Sequence, residues 1–513
     1  MFWADELVKN FKKEKKVIWV DDMATPSGKP HVGTFRGAII HDVAAKALKK
    51  AGLKSRYTFF SNDFDPMDGM PSYLDKKVYG QHMGKPFFMI PAPEGKDSLG
   101  DYFIKDLYEM MKGLGCDFEP MKDSEEYKRG TYNEIIKLAL DSSDLIRKLY
   151  KEVSGSVKPS DWIPFQPICE ACGKIGTTRA FAWDGGKVSY RCEPKMVEWA
   201  SGCGHEGSVS PFNGTGKLPW KVEWPAKFAA LGIDVEGEGK DHSSSGGSRD
   251  LANVLCKRVF GVNPPYDLPY EHIIFKGKKM SKSKGIGITA EEAYKSLPPE
   301  LIRFIMIRNI NRVIDLDLDG MVIASLYDEY DRSQKAYLKE INFPDLAKVY
   351  ELSQISKKFN NGYKMKFTKV AHAVQIPNVD IKKLAEEEKG LPLDLLEQAE
   401  LEERIKFSKV WLDKFAPESF KFDVKKEPPT VKLNENQQKV IKVLYEKFSQ
   451  KKNWTGEELQ KEIFSLKDEL RIKPQEIFSA IYLIFIGKES GPQAGFLLAS
   501  LDYEFVLKRL STS

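Results

Sequence analysis

The order of apolar runs and turn residues near the amino terminus constrains this chain more than any other feature. Val17-Ile18-Trp19-Val20 is an apolar run of strand length. Ala24-Thr25-Pro26-Ser27-Gly28 then supplies turn residues. From Gly33 to Lys50, Ile39, Ile40, Val43, Ala47 and Leu48 recur at helical spacing, and Gly52 is a stop signal. Tyr57-Thr58-Phe59-Phe60 reads as a second strand. This βαβ opening favours an α/β fold with a doubly wound parallel sheet that binds ligands at the carboxyl ends of its strands.

A loop-rich, cysteine-bearing stretch from about 167 to 207 interrupts the pattern and reads as an insertion. The α/β pattern resumes over 232–241 and 270–275. After Gly285 the chain turns helical, Thr289 and Glu292 having capping-box spacing. Beyond about residue 330 only helical patterns remain. Val440, Leu444 and Phe448 form one face, Thr455 with Glu458 starts the next helix, and Gly491-Pro492 separates the last two. The carboxyl-terminal third is therefore expected to be all-α.

Composition excludes several classes. With 513 residues, 42% hydrophobic and 30% charged, the chain is neither a disulfide miniprotein nor wholly disordered. Lys+Arg 79 against Asp+Glu 74 leaves +5, a surplus too small to show nucleic-acid binding by itself. The most apolar stretch, 477–486, stops at Gly487, about half the ~20 residues a membrane helix needs. The amino terminus turns lysine-rich without the apolar core of a signal peptide. A cytoplasmic location with no membrane partner is expected, so the six cysteines should be reduced thiols or metal ligands.

Three constellations carry chemistry. The first is the turn Thr25-Pro-Ser-Gly-Lys-Pro-His31-Val32-Gly33-Thr34, where small residues before a helix let backbone N–H groups approach a phosphate. His31 could stabilise charge on a phosphoryl oxygen, although a lone His at such a turn is more often a cap or a packed residue. The second is Lys278-Lys279-Met280-Ser281-Lys282-Ser283-Lys284-Gly285. Lys279 and Lys282 could grip the β- and γ-phosphates of ATP, whereas an isolated basic run is usually a solvated loop. The third is Cys169-x2-Cys172 followed by Cys192 and Cys203, with 193–202 inserted between the last two. That spacing suits tetrahedral metal binding, against a competing reading as buried free thiols. Cys116 and Cys256 lie on apolar stretches and read as helical core.

The first two motifs occur in one chain, in that order, each at a strand end. The pair resembles the His-x-Gly-x and Lys-Met-Ser-Lys-Ser signatures of class I aminoacyl-tRNA synthetases. Four further stretches narrow the resemblance to the class I lysyl-tRNA synthetase family. They are Ser61-Asn-Asp-Phe-Asp-Pro-Met-Asp-Gly-Met-Pro71, Lys217-Leu-Pro-Trp-Lys-Val-Glu-Trp-Pro225, Gly239-Lys-Asp-His242 and Gly491-Pro-Gln-Ala-Gly-Phe-Leu-Leu-Ala-Ser-Leu501. Thr34 departs from the general class signature, which has a second His there.

The resemblance implies a Rossmann-like catalytic domain over 1–325, with an insertion at about 90–215 carrying a zinc-ribbon-like site at 167–207. A helical stem-contact or connecting region follows over 285–345, then an α-helical anticodon-binding domain over 346–513. The implied reaction activates L-lysine with ATP and its Mg²⁺, then transfers the lysyl group to the 2′-hydroxyl of the terminal adenosine of tRNA(Lys). Activation is implied to need bound tRNA. Catalysis is assigned to His31, Gly33, Thr34, Lys279 and Lys282. ATP binding is assigned to Pro26, Ser27, Gly28, His31, Gly33, Gly239, Asp241, Lys279, Met280, Ser281, Lys282 and Ser283. Structural Zn²⁺ falls to Cys169, Cys172, Cys192 and Cys203, with His205 in reserve and no second metal at 93–101. A monomer is expected.

Charge logic places the amino acid. A glutamyl enzyme is expected to hold an arginine beside the first strand's end, but Val20-Asp21-Asp22-Met23 has no cation. A side-chain ammonium needs acceptors, because a desolvated unpaired charge costs several kcal/mol. Asp63 and Asp65 are the candidates, with acceptors from Thr25 to Gly28, and Trp220, His242 and Tyr270 along the alkyl stem. The alternatives are a glutamyl-type synthetase, a non-catalytic tRNA-binding relative and a nucleotidylyltransferase.

Overall fold

The computed structural model describes residues 2–11, 16–279, 287–427 and 429–512. The chain forms two compact units, Met1–Leu316 with Asn342–Ser356, and Asp317–Ile341 with Lys357–Ser513.

The first unit is built on five strands: β1 (Ile18–Ala24), β2 (Ser55–Ser61), β3 (Glu119–Lys122), β4 (Val235–Gly239) and β5 (Tyr266–Tyr270). Their order is β5-β4-β1-β2-β3 and every neighbouring pair is parallel. Order reverses between β1 and β4, so a crevice opens there beyond the carboxyl ends of the strands. β1 runs on through Asp21 and Asp22, past the apolar run. It can do so because Thr58 donates to Asp21 at 2.5 Å and Lys227 pairs with it, so the buried charge is not left alone.

Helix α1 (Gly33–Lys50) has the bounds that its periodicity gives and buries Phe35, Ile39, Ile40, Val43 and Leu48. Four further helices matter to the site: α2 (Leu99–Gly113), α3 (Asp123–Arg129), α4 (Trp220–Leu231) and α5 (Ser248–Arg258).

Several expectations need correction. The stretch from 90 to 215 is not wholly an insertion, because α2 leads into β3, which pairs with β2 from Thr58↔Glu119 to Ser61↔Lys122. Residues 270–275 are not one strand. β5 ends at Tyr270, and Ile273–Phe275 pairs instead with Lys278–Lys279 and Ile314–Asp315 in a separate sheet. The hairpin turns at Lys276 and Gly277, both at positive φ, the conformation a tight two-residue turn requires. Cys116 is buried in the loop after α2 rather than on a helix, whereas Cys256 is buried on α5.

Within the second unit every regular element among the described residues is a helix. Val322–Tyr337, Leu395–Lys414, Glu435–Gln450, Gly456–Leu470 and Pro474–Ile486 are the long ones. Val440, Leu444 and Phe448 share a core with Ile463, Ile477, Ile481 and Leu497. Gly491-Pro492 does not separate the last two helices: Ala494–Ala499 follows it, and Tyr503–Ser511 starts afresh at the N-cap Asp502. No described helix is long and apolar enough to cross a membrane.

Candidate active site and metal centre

The turn after β1 and the chain that follows the lysine motif are stitched together. His31 forms an antiparallel bridge with Thr289. Val32 N–H donates to Ile288 O at 3.3 Å, and Ala290 N–H donates to Pro30 O at 3.1 Å. Behind this pairing α1 begins, with no acidic side chain in its first turn. Thr34 N–H closes on His31 O at 3.0 Å. Such a helix end favours an anion. Lys279 contributes backbone to the hairpin opposite Ile274, while Met280, Ser281, Lys282 and Ser283 lie outside the described residues.

The turn itself is held from one side. Ser27 N–H donates to Thr25 O at 2.8 Å, and Lys29 N–H to the Tyr73 hydroxyl at 2.8 Å. Gly28 sits at φ +148°, where a Cβ would meet the Tyr73 hydroxyl at 3.0 Å and Pro71 Cγ at 3.1 Å, so a side chain there would force the turn off this loop. Arg36, buried on α1, donates to the carbonyls of His272, Asn309, Ile310 and Arg312, tying the crevice walls to the helix. Burial pushes its guanidinium down to about 10.

Across the switch point, Gly239 ends β4 and has no atom within 4 Å of an added Cβ, so the backbone is open to approach. Asp241 follows, half-exposed, accepting from His272 Nε2 at 2.9 Å. Tyr270 closes β5. Its hydroxyl would lie 2.7 Å from a Cβ at Gly37, beside Asp22. Burial, then Asp22 and Glu238, holds its phenol above the ordinary range.

A cluster of buried charge gathers residues of β1, β4 and α4. Lys217 Nζ reaches Asp65 at 2.5 Å and Glu223 at 2.5 Å. Lys227 pairs with Asp21 and stands 3.6 Å from Glu236. Burial opposes both ammonium charges, but the carboxylates outweigh it and hold each lysine charged. Neither Asp63 nor Asp65 is left open in the way the sequence suggests. Asp63 accepts from Ser124 N–H at 2.9 Å and Ser124 Oγ at 2.6 Å, and Asp65 also accepts from Thr25 Oγ1 at 2.6 Å. Trp220 and His242 do come together, with rings 5.3 Å apart.

Of one further residue set the sequence assigns a role only to Trp220. Trp220, Glu223, Trp224 and Lys227 face a small cleft from α4, and Met23, Asn62 and Asp123 face it from the ends of β1, β2 and β3. The α4 residues recur at i, i+3, i+4 and i+7, one stripe of a helix, which is the signal that could have found them.

The cysteines form a separate centre. Thr178–Trp183, Val188–Cys192 and Glu206–Val209 make an antiparallel ribbon. The thiol sulfurs of Cys169, Cys172, Cys192 and Cys203 all lie within 4.8 Å of one another. Cys169–Cys203 is 3.6 Å and Cys172–Cys192 is 3.7 Å. A tetrahedral Zn²⁺ with Zn–S bonds of about 2.3 Å puts neighbouring sulfurs about 3.8 Å apart, so the set fits such an ion. The segment 193–202 loops out, and Gly204 N–H donates to Cys192 O at 2.9 Å, bringing Cys203 back beside Cys192. His205 is outside the group, 4.0 Å from Glu170.

Comparison with known proteins gives the family. A family model described as tRNA synthetases class I (K) matches residues 1–356, and one described as an anticodon binding domain matches 399–513. A lysine–tRNA ligase of Thermoplasma acidophilum is 33% identical over 514 residues, covering 99% of this chain and 98% of that protein. One of Thermoplasma volcanium is 32% identical over 516 residues, covering 100% and 99%. Among solved structures, a glutamate tRNA ligase from Elizabethkingia meningosepticum is 14% identical with a TM-score of 0.42, covering 97% of this chain and 99% of that one.

Proposed function

The chain belongs to the class I tRNA synthetases of the lysine type, and from that membership we propose that it is a lysine–tRNA ligase, joining L-lysine to tRNA(Lys) through a lysyl-adenylate. The observation that supports the reading most is the pairing of 30–32 with 288–290, which joins the turn after β1 to the chain that follows the lysine motif.

Lysine's α-carboxylate is a nucleophile at neutral pH, so activation needs in-line positioning and charge neutralisation rather than a strong base. His31 and the N–H of Gly33 meet the α-phosphoryl group as charge develops, while Thr34, whose N–H is spent on His31 O, offers its hydroxyl. Lys279 and Lys282, with Met280, Ser281 and Ser283, hold the β- and γ-phosphates and stabilise departing pyrophosphate. Pro26, Ser27 and Gly28 line the nucleotide, Gly239 lets adenosine approach, and Asp241 accepts from the ribose hydroxyls. Mg²⁺ arrives with ATP. The amino acid lies between the Thr25–Gly28 turn and the rings of Trp220, His242 and Tyr270. The excess of buried carboxylates there opposes a glutamate side chain and suits a cation. The adenylate is then attacked by the 2′-hydroxyl of the terminal adenosine.

The four cysteines hold a structural Zn²⁺, with no water activated on it. The helical unit docks the anticodon end of tRNA(Lys), and the enzyme works as a cytoplasmic monomer. The test is amino-acid-dependent ATP–pyrophosphate exchange. Lysine should drive exchange when tRNA(Lys) is present and leave it near zero when tRNA is withheld. Exchange driven by glutamate, or none with any amino acid, would overturn the reading.

A further inference from the structure

The cleft between the strand ends and α4 has polar walls that the protein's own groups do not satisfy. Asp123 is 3% exposed and Asn62 is 4% exposed. Among the described residues, Oδ1 of each has no hydrogen-bond partner, which is rare for buried acceptors. Asn62 directs its Nδ2–H to Met23 Sδ at 3.2 Å, so the carbonyl is the end left over. Both atoms belong to residues lining one cleft, with room for a group about the size of a water molecule.

The nearby cations are committed elsewhere. Lys217 spans Asp65 and Glu223, and Lys227 spans Asp21 and Glu236. Asp123 is thus a further carboxylate in a cluster whose two ammonium groups are already shared. Burial and then Glu223 push its carboxyl up, and an arriving cation would reverse that. A primary ammonium matches the space: it is water-sized, positively charged and carries three N–H donors. The aromatic walls, Trp220 and Trp224, stack with ring centroids 5.8 Å apart and tolerate a cation and its methylenes.

We propose that Asp123 and Asn62 are the acceptors for the side-chain ammonium of the amino-acid substrate. The inference rests on reading the chain as a lysine-activating enzyme, and it names which groups select that amino acid. Position favours the side-chain ammonium over the α-ammonium. The α-carboxylate must reach the phosphoryl site at the turn after β1, and the α-ammonium is one carbon away from it. Asn62 follows β2 and Asp123 follows β3, on the side of β1 away from β4. The far end of a lysine extends to them.

The test uses the full chain with tRNA(Lys), lysine as substrate and norleucine, which has the same four-carbon side chain without the ammonium, as competitive inhibitor. Asp123→Asn should raise the KM for lysine about 10- to 100-fold. The KM for ATP and the inhibition constant of norleucine should each stay within about twofold. Asn62→Ala should shift the lysine KM in the same direction by less, and it carries the comparison alone if Asp123→Asn does not fold. Parallel losses for lysine and norleucine, or an unchanged lysine KM, would overturn the proposal while leaving lysine activation intact. A wild-type chain with no lysine-dependent exchange would overturn the underlying reading instead.

Discussion

Charge held inside the sheet has a measurable consequence at the scale of single residues. Glu236 on β4 is enclosed: Trp224 Nε1 donates to it at 2.5 Å and Lys227 stands 3.6 Å away. Burial still pushes its carboxyl up, to about 8, with Lys227 pulling the other way. The folded chain therefore keeps a proton that the unfolded chain releases at about 4.3. Below that pH both states are protonated and there is no penalty. As pH rises towards about 8 the unfolded state binds fewer protons, so folding stability declines, then levels off. Glu236→Gln keeps an acceptor for Trp224 and removes the titration. Thermal melts from about pH 5 to 9 should show a shallower fall in Tm for the variant than for wild type. Equal slopes would mean that Glu236 does not carry the effect. The same kind of pairing decides which acids could be read as ligands. Charge logic points to Asp63 and Asp65, but Asp63 is taken by Ser124 and Asp65 by Lys217, partners far along the chain. Asp123, beside Ser124, keeps an oxygen without a hydrogen-bond partner among the described residues, and only the folded pairing distinguishes it from Asp63 and Asp65.

At the scale of elements, legibility follows local signals. Helix α1 and the capping boxes at Thr289/Glu292 and Thr455/Glu458 were readable because their hydrogen bonds close within a few residues. Strand β3 was not, because Glu119-Pro120-Met121-Lys122 is a half-exposed edge where proline is tolerated and no apolar alternation is needed. The metal ribbon lies between these cases. Cys169 and Cys172 sit on a tight turn, with Gly173 N–H donating to Cys169 O at 2.8 Å, and this half is evident from spacing. The other half depends on a loop folding away. Gly202 is needed there, since a Cβ would lie 2.5 Å from Glu193 O. If the four thiols hold one Zn²⁺, metal analysis should give about one equivalent per chain. Cys203→Ser should lose most of it and His205→Ala should keep it. The opposite pattern would replace Cys203 by His205 as the fourth ligand.

For the whole molecule, helical patterning begins at about 330 and the family resemblance places the last domain boundary at about 346, but packing divides the chain otherwise. Val322–Tyr337 belongs to the second unit, whereas Pro344–Ser353 belongs to the first. Periodicity marks a helix without saying which core it joins. The difference matters energetically because Val322–Tyr337 supplies the partner of a buried ion. Arg404 is fully buried and pairs with Asp331 from that helix, and Tyr327 stacks on Phe367 with centroids 4.1 Å apart. Trp411 Nε1 also donates to Gly320 O at 3.0 Å. Cutting the chain at 346 would leave the guanidinium with Glu400 but without Asp331 and the indole without its acceptor, and losing a hydrogen bond to a charged group costs about 1.5–3 kcal/mol. A fragment of residues 317–513 should therefore melt cooperatively, and one of residues 346–513 should be markedly less stable or fail to fold. Circular dichroism during heating checks this, and equal stability would return the boundary to 346. If the helical unit docks tRNA(Lys), the longer fragment should bind it weakly, with affinity falling steeply as salt rises from about 50 to 200 mM. Binding that ignores salt would argue against a phosphate-backbone interface on these helices.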